Sequence, residues 1–262
     1  MSDTVEGLRT RAVQRYGWIP DVPDNRDLLF SAPQAVLAKL PAKTDLRAHC
    51  PPVYDQGQLG SCTANAIGGA FEFDQLKEGL KDFVPSRLFI YYNERTIEGT
   101  VESDSGAMIR DGIKSVAKLG VCPEAQWAYD IAKFRDKPTK ACYTAAAQHQ
   151  AVVYQSVLQD LHQMQGCLAS GYPFVFGFSV YESFESAAVA KTGAVPLPKK
   201  GEKQLGGHAV LAVGYDDANQ SFLVRNSWSS AWGDGGYCTM PYAYLTSRQL
   251  AQDFWVVYTV EK

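Results

Sequence analysis

The chain has 262 residues, 46% of them hydrophobic and 20% charged, with a formal net charge of −3, enough to bury a sizeable core without metal or disulfide staples. No basic stripe is present to release counterions from a phosphate backbone, which excludes a dedicated nucleic-acid binder. No apolar run reaches the roughly 18–20 residues that span a bilayer, and the polar start, Met1 to Arg15, lacks an apolar stretch before a cleavage site, so cytoplasmic location is the default expectation, with secretion left open.

Residues 1–42 read as an extended arm outside the core. Trp18-Ile19-Pro20-Asp21-Val22-Pro23-Asp24 is rich in turn formers, and Pro33 and Pro41 follow. Ser61 is a candidate N-cap for a helix from Cys62 to about Leu80, with Ala64, Ile67 and Phe71 on one face. Pro85-Ser86 opens a second helix through Leu88, Phe89 and Tyr92. A third runs from Met108 to Lys118 and stops at Gly120, and Leu158, Leu161, Met164 and Leu168 suggest a fourth, ending at Gly171. Strands are expected at Pro173–Val180, His208–Tyr215, Phe222–Asn226, Gly236–Met240 and Phe254–Val260, with a hairpin turn at Asp216-Asp217-Ala218-Asn219. Helices first and strands second, without regular alternation, predict an α+β protein. The expected divisions are the arm 1–42, a mainly helical lobe 43–150 and a mainly β lobe 151–262.

Six cysteines and four histidines show neither CxxC nor HExxH spacing, so no metal and no cofactor are expected. The adjacent His49-Cys50 pair reads as incidental. Three segments carry the chemistry. In Gln56-Gly57-Gln58-Leu59-Gly60-Ser61-Cys62, the cysteine falls in the first turn of a helix, where free N–H groups and the macrodipole favour a thiolate. In Gly206-Gly207-His208-Ala209-Val210, a histidine opens an apolar strand; in Asn226-Ser227-Trp228, an asparagine ends one. A nucleophile, a base and a group that fixes the base's tautomer are what amide attack needs, and Cys62, His208 and Asn226 supply them in that order.

These motifs resemble the papain family (C1-type) of cysteine peptidases over about residues 40–262, in a bacterial-looking variant with a short N-terminal arm. A cysteine with His and Asn far downstream is a known signature of that family. Leu40-Pro41 through Asp45-Leu46-Arg47, Gly120-Val121 through Tyr129, and Thr192-Gly193-Ala194-Val195 fall where such enzymes have comparable segments. The resemblance implies a two-lobed fold, a helical left lobe and an antiparallel β-barrel-like right lobe, with the active-site cleft between them. It implies Cys62 as thiolate, His208 as its partner, Asn226 orienting the imidazole beneath Trp228, and Gln56 donating to the oxyanion hole. Gly106 would pair with substrate backbone, and Ala107, Met108 and Ala209 would line the main specificity pocket. Asp253 falls near the floor of the second subsite; the alternative is a solvated aspartate at the start of the last strand.

The chain departs from the family pattern at Leu59, where a cysteine is usual, and at Thr63, where an aromatic is usual. Cys122 and Cys142 could pair in an oxidising compartment. The expected function is an endopeptidase working through a thioester acyl-enzyme, monomeric, with peptide or protein substrates and neither nucleic acid polymer nor membrane as partner. The alternatives are a non-catalytic papain-like peptide-binding module and a thiol acyltransferase or amidase. The arm is expected either to fold over the cleft and restrain activity, as in a zymogen, or to serve as a permanent strap.

Overall fold

The computed structural model describes residues 16–260; the polar start, Met1 to Arg15, lies outside them. In chain order the elements are β1 (Leu29–Phe30), α1 (Gln34–Leu37), β2 (Lys43–Asp45), α2 (Cys62–Lys77), α3 (Arg87–Glu98), α4 (Ile109–Leu119), α5 (Lys140–Ala146), β3 (Ala151–Val157), α6 (Leu161–Ala169), β4 (Phe174–Tyr181), α7 (Ala187–Thr192), β5 (Gln204–Asp216), β6 (Ser221–Arg225), β7 (Tyr237–Pro241), α8 (Tyr242–Thr246) and β8 (Ala251–Val260). The four long helices and five strands expected from periodicity all form, within a few residues at each end. The hairpin between β5 and β6 closes with Asp216 opposite Ser221.

The central helix is not amphipathic in the way its sequence suggested. All of α2 except its last two residues is buried, because it lies between α3, α4 and the sheet strands β5 and β8. Ser61 precedes it but makes no side-chain cap; its hydroxyl sits 2.5 Å from the Tyr129 hydroxyl and accepts from Asn65 Nδ2. By contrast α3 is capped conventionally, Ser86 Oγ accepting the Phe89 N–H at 3.2 Å.

The strands form one sheet in the order β1-β3-β8-β4-β5-β6-β7, with β2 pairing β5. Neighbours are antiparallel except β1 and β3, which pair in parallel, Leu29 with Ser156 and Phe30 with Val157. This corrects the expectation of a barrel-like second half: the sheet is open. Its outer edges are satisfied by short segments instead of by each other, since β1 covers β3 while along β7 Val195 N–H donates to Thr239 O and Thr239 N–H donates to Gly193 O. Both faces are covered. Phe174, Phe176 and Phe178 pack into one core with α6, while Val175, Leu211, Val213 and Trp255 pack into another with α2, α3 and α4. Two covered faces explain the unbroken apolar run through β4 and β5.

A second correction concerns the arm. Phe30 and Ala32 belong to the first core and Trp18 to the second, so residues 18–32 are built into the fold and not laid outside it. Burying one such large apolar side chain is worth about 1.5–3 kcal/mol, which favours docking of an otherwise turn-rich segment.

Candidate active site

Each candidate catalytic group comes from a different element. Cys62 opens α2, His208 lies on β5, and Asn226 follows the last residue of β6. His208 Nε2 is 2.8 Å from Asn226 Oδ1, and the same oxygen accepts the Ser227 N–H at 2.8 Å. An oxygen that accepts from a backbone amide cannot be the amide nitrogen, so Asn226 presents an acceptor and fixes a proton on His208 Nε2. The Trp228 ring lies 5.0 Å from the imidazole, tilted by 31°, and excludes water from that bond. Phe178, Phe184 and Trp232 continue the apolar wall, with Phe178 5.7 Å from His208 and Phe184 5.5 Å from Trp228.

The thiol of Cys62 is reached by the N–H groups of Ala209 and Gly17. The first is the chain neighbour of His208; the second belongs to the arm. Cys62 is 0% exposed and His208 1%. Complete burial pushes the Cys62 thiol up to about 12, against the opposing pull of the Ala209 and Gly17 amides. In this covered state burial favours the neutral thiol of Cys62.

Gln56 is held on three sides. Its Oε1 accepts from Ser227 Oγ at 2.7 Å, its Nε2 donates to the Leu59 carbonyl at 2.9 Å, and its own carbonyl accepts from the Tyr129 hydroxyl at 2.9 Å. The Leu59 carbonyl, which can only accept, fixes which end of the amide is nitrogen, leaving the second Nε2 hydrogen available. Ser227 thereby links the Gln56 amide to the Asn226 loop. Sequence reading passed over Ser227 and Tyr129, since a hydroxyl within an Asn-Ser-Trp turn gives no periodic signal.

The arm crosses this site in extended form. Gly17 O accepts the Ala107 N–H at 2.7 Å, Ile19 N–H donates to Ala107 O at 3.0 Å, and Trp18 N–H donates to Gly207 O at 3.1 Å. Tyr16 stands edge-on to His208 at 6.2 Å and its hydroxyl bonds Glu185. The Trp18 indole is 7% exposed and lies against Gly177 and Gly207, where any Cβ would run into the ring. Its Nε1 donates to Asp253 Oδ2 at 3.0 Å.

The remaining candidates are placed as follows. Asp253 is half-buried and is the third residue of the last strand, not the residue before it. It sits inside β8 at a bulge opposite Val175–Gly177, with φ 58°, a left-handed conformation that aspartate tolerates. Its Oδ2 also accepts the Asp21 N–H at 2.8 Å. Asp21 in turn accepts from Trp255 Nε1 at 2.8 Å and the Arg110 N–H at 3.1 Å. Burial, reinforced by the nearby Asp253 charge, raises Asp21 to about 7, and burial raises Asp253 as well. Ala107 carries the backbone pairing to the arm, whereas the Gly106 N–H is turned to the Tyr91 hydroxyl at 3.1 Å. Met108 caps α4, its N–H donating to Glu98 Oε1 at 2.7 Å. Cys122 and Cys142 are free thiols in hydrogen-bonding contact; burial first, then Cys142, pushes the Cys122 thiol up to about 12.

The chain is similar to several known proteins. An uncharacterized peptidase C1-like protein of Acanthamoeba polyphaga mimivirus is 43% identical, with 97% of this chain and 90% of that protein aligned. Digestive cysteine proteinase 1 of Homarus americanus is 30% identical over 72% of this chain and 58% of that protein. Among solved structures, xylellain, a cysteine protease from Xylella fastidiosa, matches with TM-score 0.88 and 48% identity, covering 94% of this chain and 96% of that one. The proCathepsin B S9 of Trypanosoma congolense shares the fold at TM-score 0.76 and 15% identity, covering 96% and 88%. The sequence profile described as papain family cysteine protease matches residues 40–254, and with it the chain belongs to that family of hydrolases.

Proposed function

We propose that this protease is an endopeptidase in which Cys62 and His208 form a thiolate–imidazolium pair, held latent by its own arm. The reading is carried by one observation: the imidazole is locked to Asn226 at 2.8 Å while the Cys62 thiol lies wholly buried under Gly17. With the arm displaced, water reaches the helix start, and the α2 N-terminus and the imidazolium favour the thiolate. The thiolate attacks the scissile carbonyl, and the Cys62 N–H and the Gln56 side-chain amide receive the developing oxyanion. His208 delivers its proton to the leaving amine, a thioester forms on Cys62, and water activated by His208 hydrolyses it. Asn226 keeps the ring oriented throughout.

Substrate takes the path the arm now occupies. Ala107 supplies the backbone partners it now gives the arm, Gly106 shapes the turn beside it with its own N–H held by Tyr91, Met108 and Ala209 flank the pocket, Trp228 walls the imidazole side, and Asp253 supplies an acceptor at the floor. The chain acts as a monomer on peptides or proteins, without nucleic acid or membrane. In function it divides into an arm, 1–42, a helix-rich part, 43–150, with Cys62, and a strand-rich part, 151–262, with His208 and Asn226.

The test compares the full chain with its Trp18→Ala variant. Removing 40 residues would also strip Phe30, Ala32 and β1 from the core, so a single substitution is the cleaner release. An epoxide-type thiol-protease inhibitor should label Cys62 slowly in the full chain and about tenfold faster or more in Trp18→Ala, in step with peptide turnover. Labelling at another cysteine would overturn the catalytic assignment; equal rates in the two chains would overturn the latency.

A further inference from the structure

Directly behind the nucleophile, where the family usually has an aromatic, the chain has Thr63. Its hydroxyl donates to Glu94 Oε1 at 2.7 Å. Glu94 lies on α3 and is 0% exposed, and its second oxygen, Oε2, has no hydrogen-bond partner among the described residues. The pocket is closed by α4: a Cβ on Gly112 would press into Glu94 Oε2 and come within 2.5 Å of Ile67 Cδ1. A buried carboxyl with a single hydrogen bond is a costly thing to keep in a core, and the reaction as described makes no use of it.

We propose that Glu94 is a positioning residue for the nucleophile, acting through Thr63 to fix the first turn of α2 and with it the Cys62 side chain and N–H. This rests on the peptidase reading above. The first turn lacks the usual restraint, because Ser61 makes no side-chain cap and no aromatic follows Cys62. The Thr63–Glu94 bond ties this turn to α3 at the residue next to Cys62, and the Arg87–Asn65 bond at 3.1 Å ties it again two residues further on. The first acts on both groups the reaction needs from Cys62, since the thiol and the oxyanion-binding N–H belong to one residue.

The charge state follows from the surroundings. Burial raises the Glu94 carboxyl well above its usual range, and the Thr63 hydrogen bond only partly offsets it. Glu98 on α3 and Asp111 on α4 act in the same direction as burial, while Arg95 opposes them. The Arg95 guanidinium is directed elsewhere, to the carbonyls of Val101, Ser103 and Phe134. These surroundings favour the neutral form of Glu94, which suits its place: an ionised Glu94 would raise the Cys62 thiol further and oppose thiolate formation.

The experiment measures kcat and KM on a fluorogenic peptide, and the pH profile of iodoacetamide alkylation mapped to Cys62, in full-length chains that all carry Trp18→Ala to release the arm: the otherwise wild-type chain, Glu94→Gln, Glu94→Ala and Thr63→Val. Glu94→Gln, neutral and of the same shape, should keep kcat within about threefold and leave the pH profile in place. Thr63→Val, which deletes only the hydrogen bond, should lower kcat about tenfold with KM within about twofold, and Glu94→Ala should lose as much or more. Thr63→Val at the kcat of the otherwise wild-type chain would overturn the proposal even if Glu94→Ala does not fold. A pH profile shifted to lower pH in Glu94→Gln would overturn the neutral acid. An otherwise wild-type chain with its arm released by Trp18→Ala that neither turns over nor alkylates at Cys62 would instead overturn the peptidase reading itself.

Discussion

The two walls of the cleft are made in different ways. On the α2 side the supporting groups are polar and buried. Arg87 pairs with Glu124 at 2.8 Å, donates to Asn65 and the Asp55 carbonyl, and lies between the Tyr54 and Tyr129 rings; Asp104 takes the Gly60 N–H and the Tyr91 hydroxyl. On the β5 side the support is aromatic, with Phe178, Phe184, Trp228 and Trp232 packed around His208 and each other. The proposed nucleophile and oxyanion donors would have to be held by direction, which hydrogen bonds supply. The imidazole needs one oriented bond and a dry surround, which rings supply.

That contrast can be broken by removing support from each wall in turn. Trp228→Ala opens a cavity beside the imidazole and should lower unfolding free energy by about 3–5 kcal/mol in a urea titration, with kcat falling as water reaches the His208–Asn226 bond. Gln56→Ala should lower kcat about 10²- to 10³-fold, as loss of an oxyanion donor does, while the urea midpoint moves little; a midpoint shift matching that of Trp228→Ala would erase the distinction. On the polar wall, a double-mutant cycle of Arg87→Met and Glu124→Gln should give a coupling of about 1–3 kcal/mol. Additive losses would mean that Arg87 acts through its stacked rings alone.

The smallest expected effect is on the arm. Asp21 goes from a usual 3.8 to about 7 in the docked state, through burial and the Asp253 charge and against the Arg110 cation. A raised carboxyl favours docking most when protonated, so the contribution is complete below about pH 4 and is lost as pH rises to about 7. Hydrogen exchange at the Trp18 and Ile19 amides, corrected for intrinsic rates, should quicken about tenfold between pH 5 and pH 8, and Asp21→Asn should flatten the trend. Exchange independent of pH in the unaltered chain would leave Asp21 outside the latch.

How much of this could be read in the sequence differs from wall to wall. The candidates Cys62, His208, Asn226 and Gln56 sit in motifs of the residue types that amide attack requires, and those motifs were legible at once. The long helices and strands were legible because their apolar spacing reflects which face is covered. Glu94, Arg87 and Asp104 were not, since a buried charge looks in sequence like any exposed one and only its partners distinguish it. The short strand β3 was missed because Ala151–Val157 lacks flanking turn formers, and the open sheet was misjudged because edge cover by β1 is a pairing across more than 120 residues of chain. The departure at Thr63 was visible, but what filled the vacated space was not.

The parallel pairing of Leu29–Phe30 with Ser156–Val157 has one more consequence. It moors the arm a few residues beyond the part that crosses the cleft, so the blocking segment and the pocket stay within a short tether of each other. Opening is then an intramolecular event with an effective concentration of about millimolar. A competing peptide must exceed that to hold the cleft open, whereas a single cut between Asp21 and Leu28 would let residues 16–20 diffuse away. The mooring thus separates two kinds of activation, one that reverses when the competitor is diluted and one that does not.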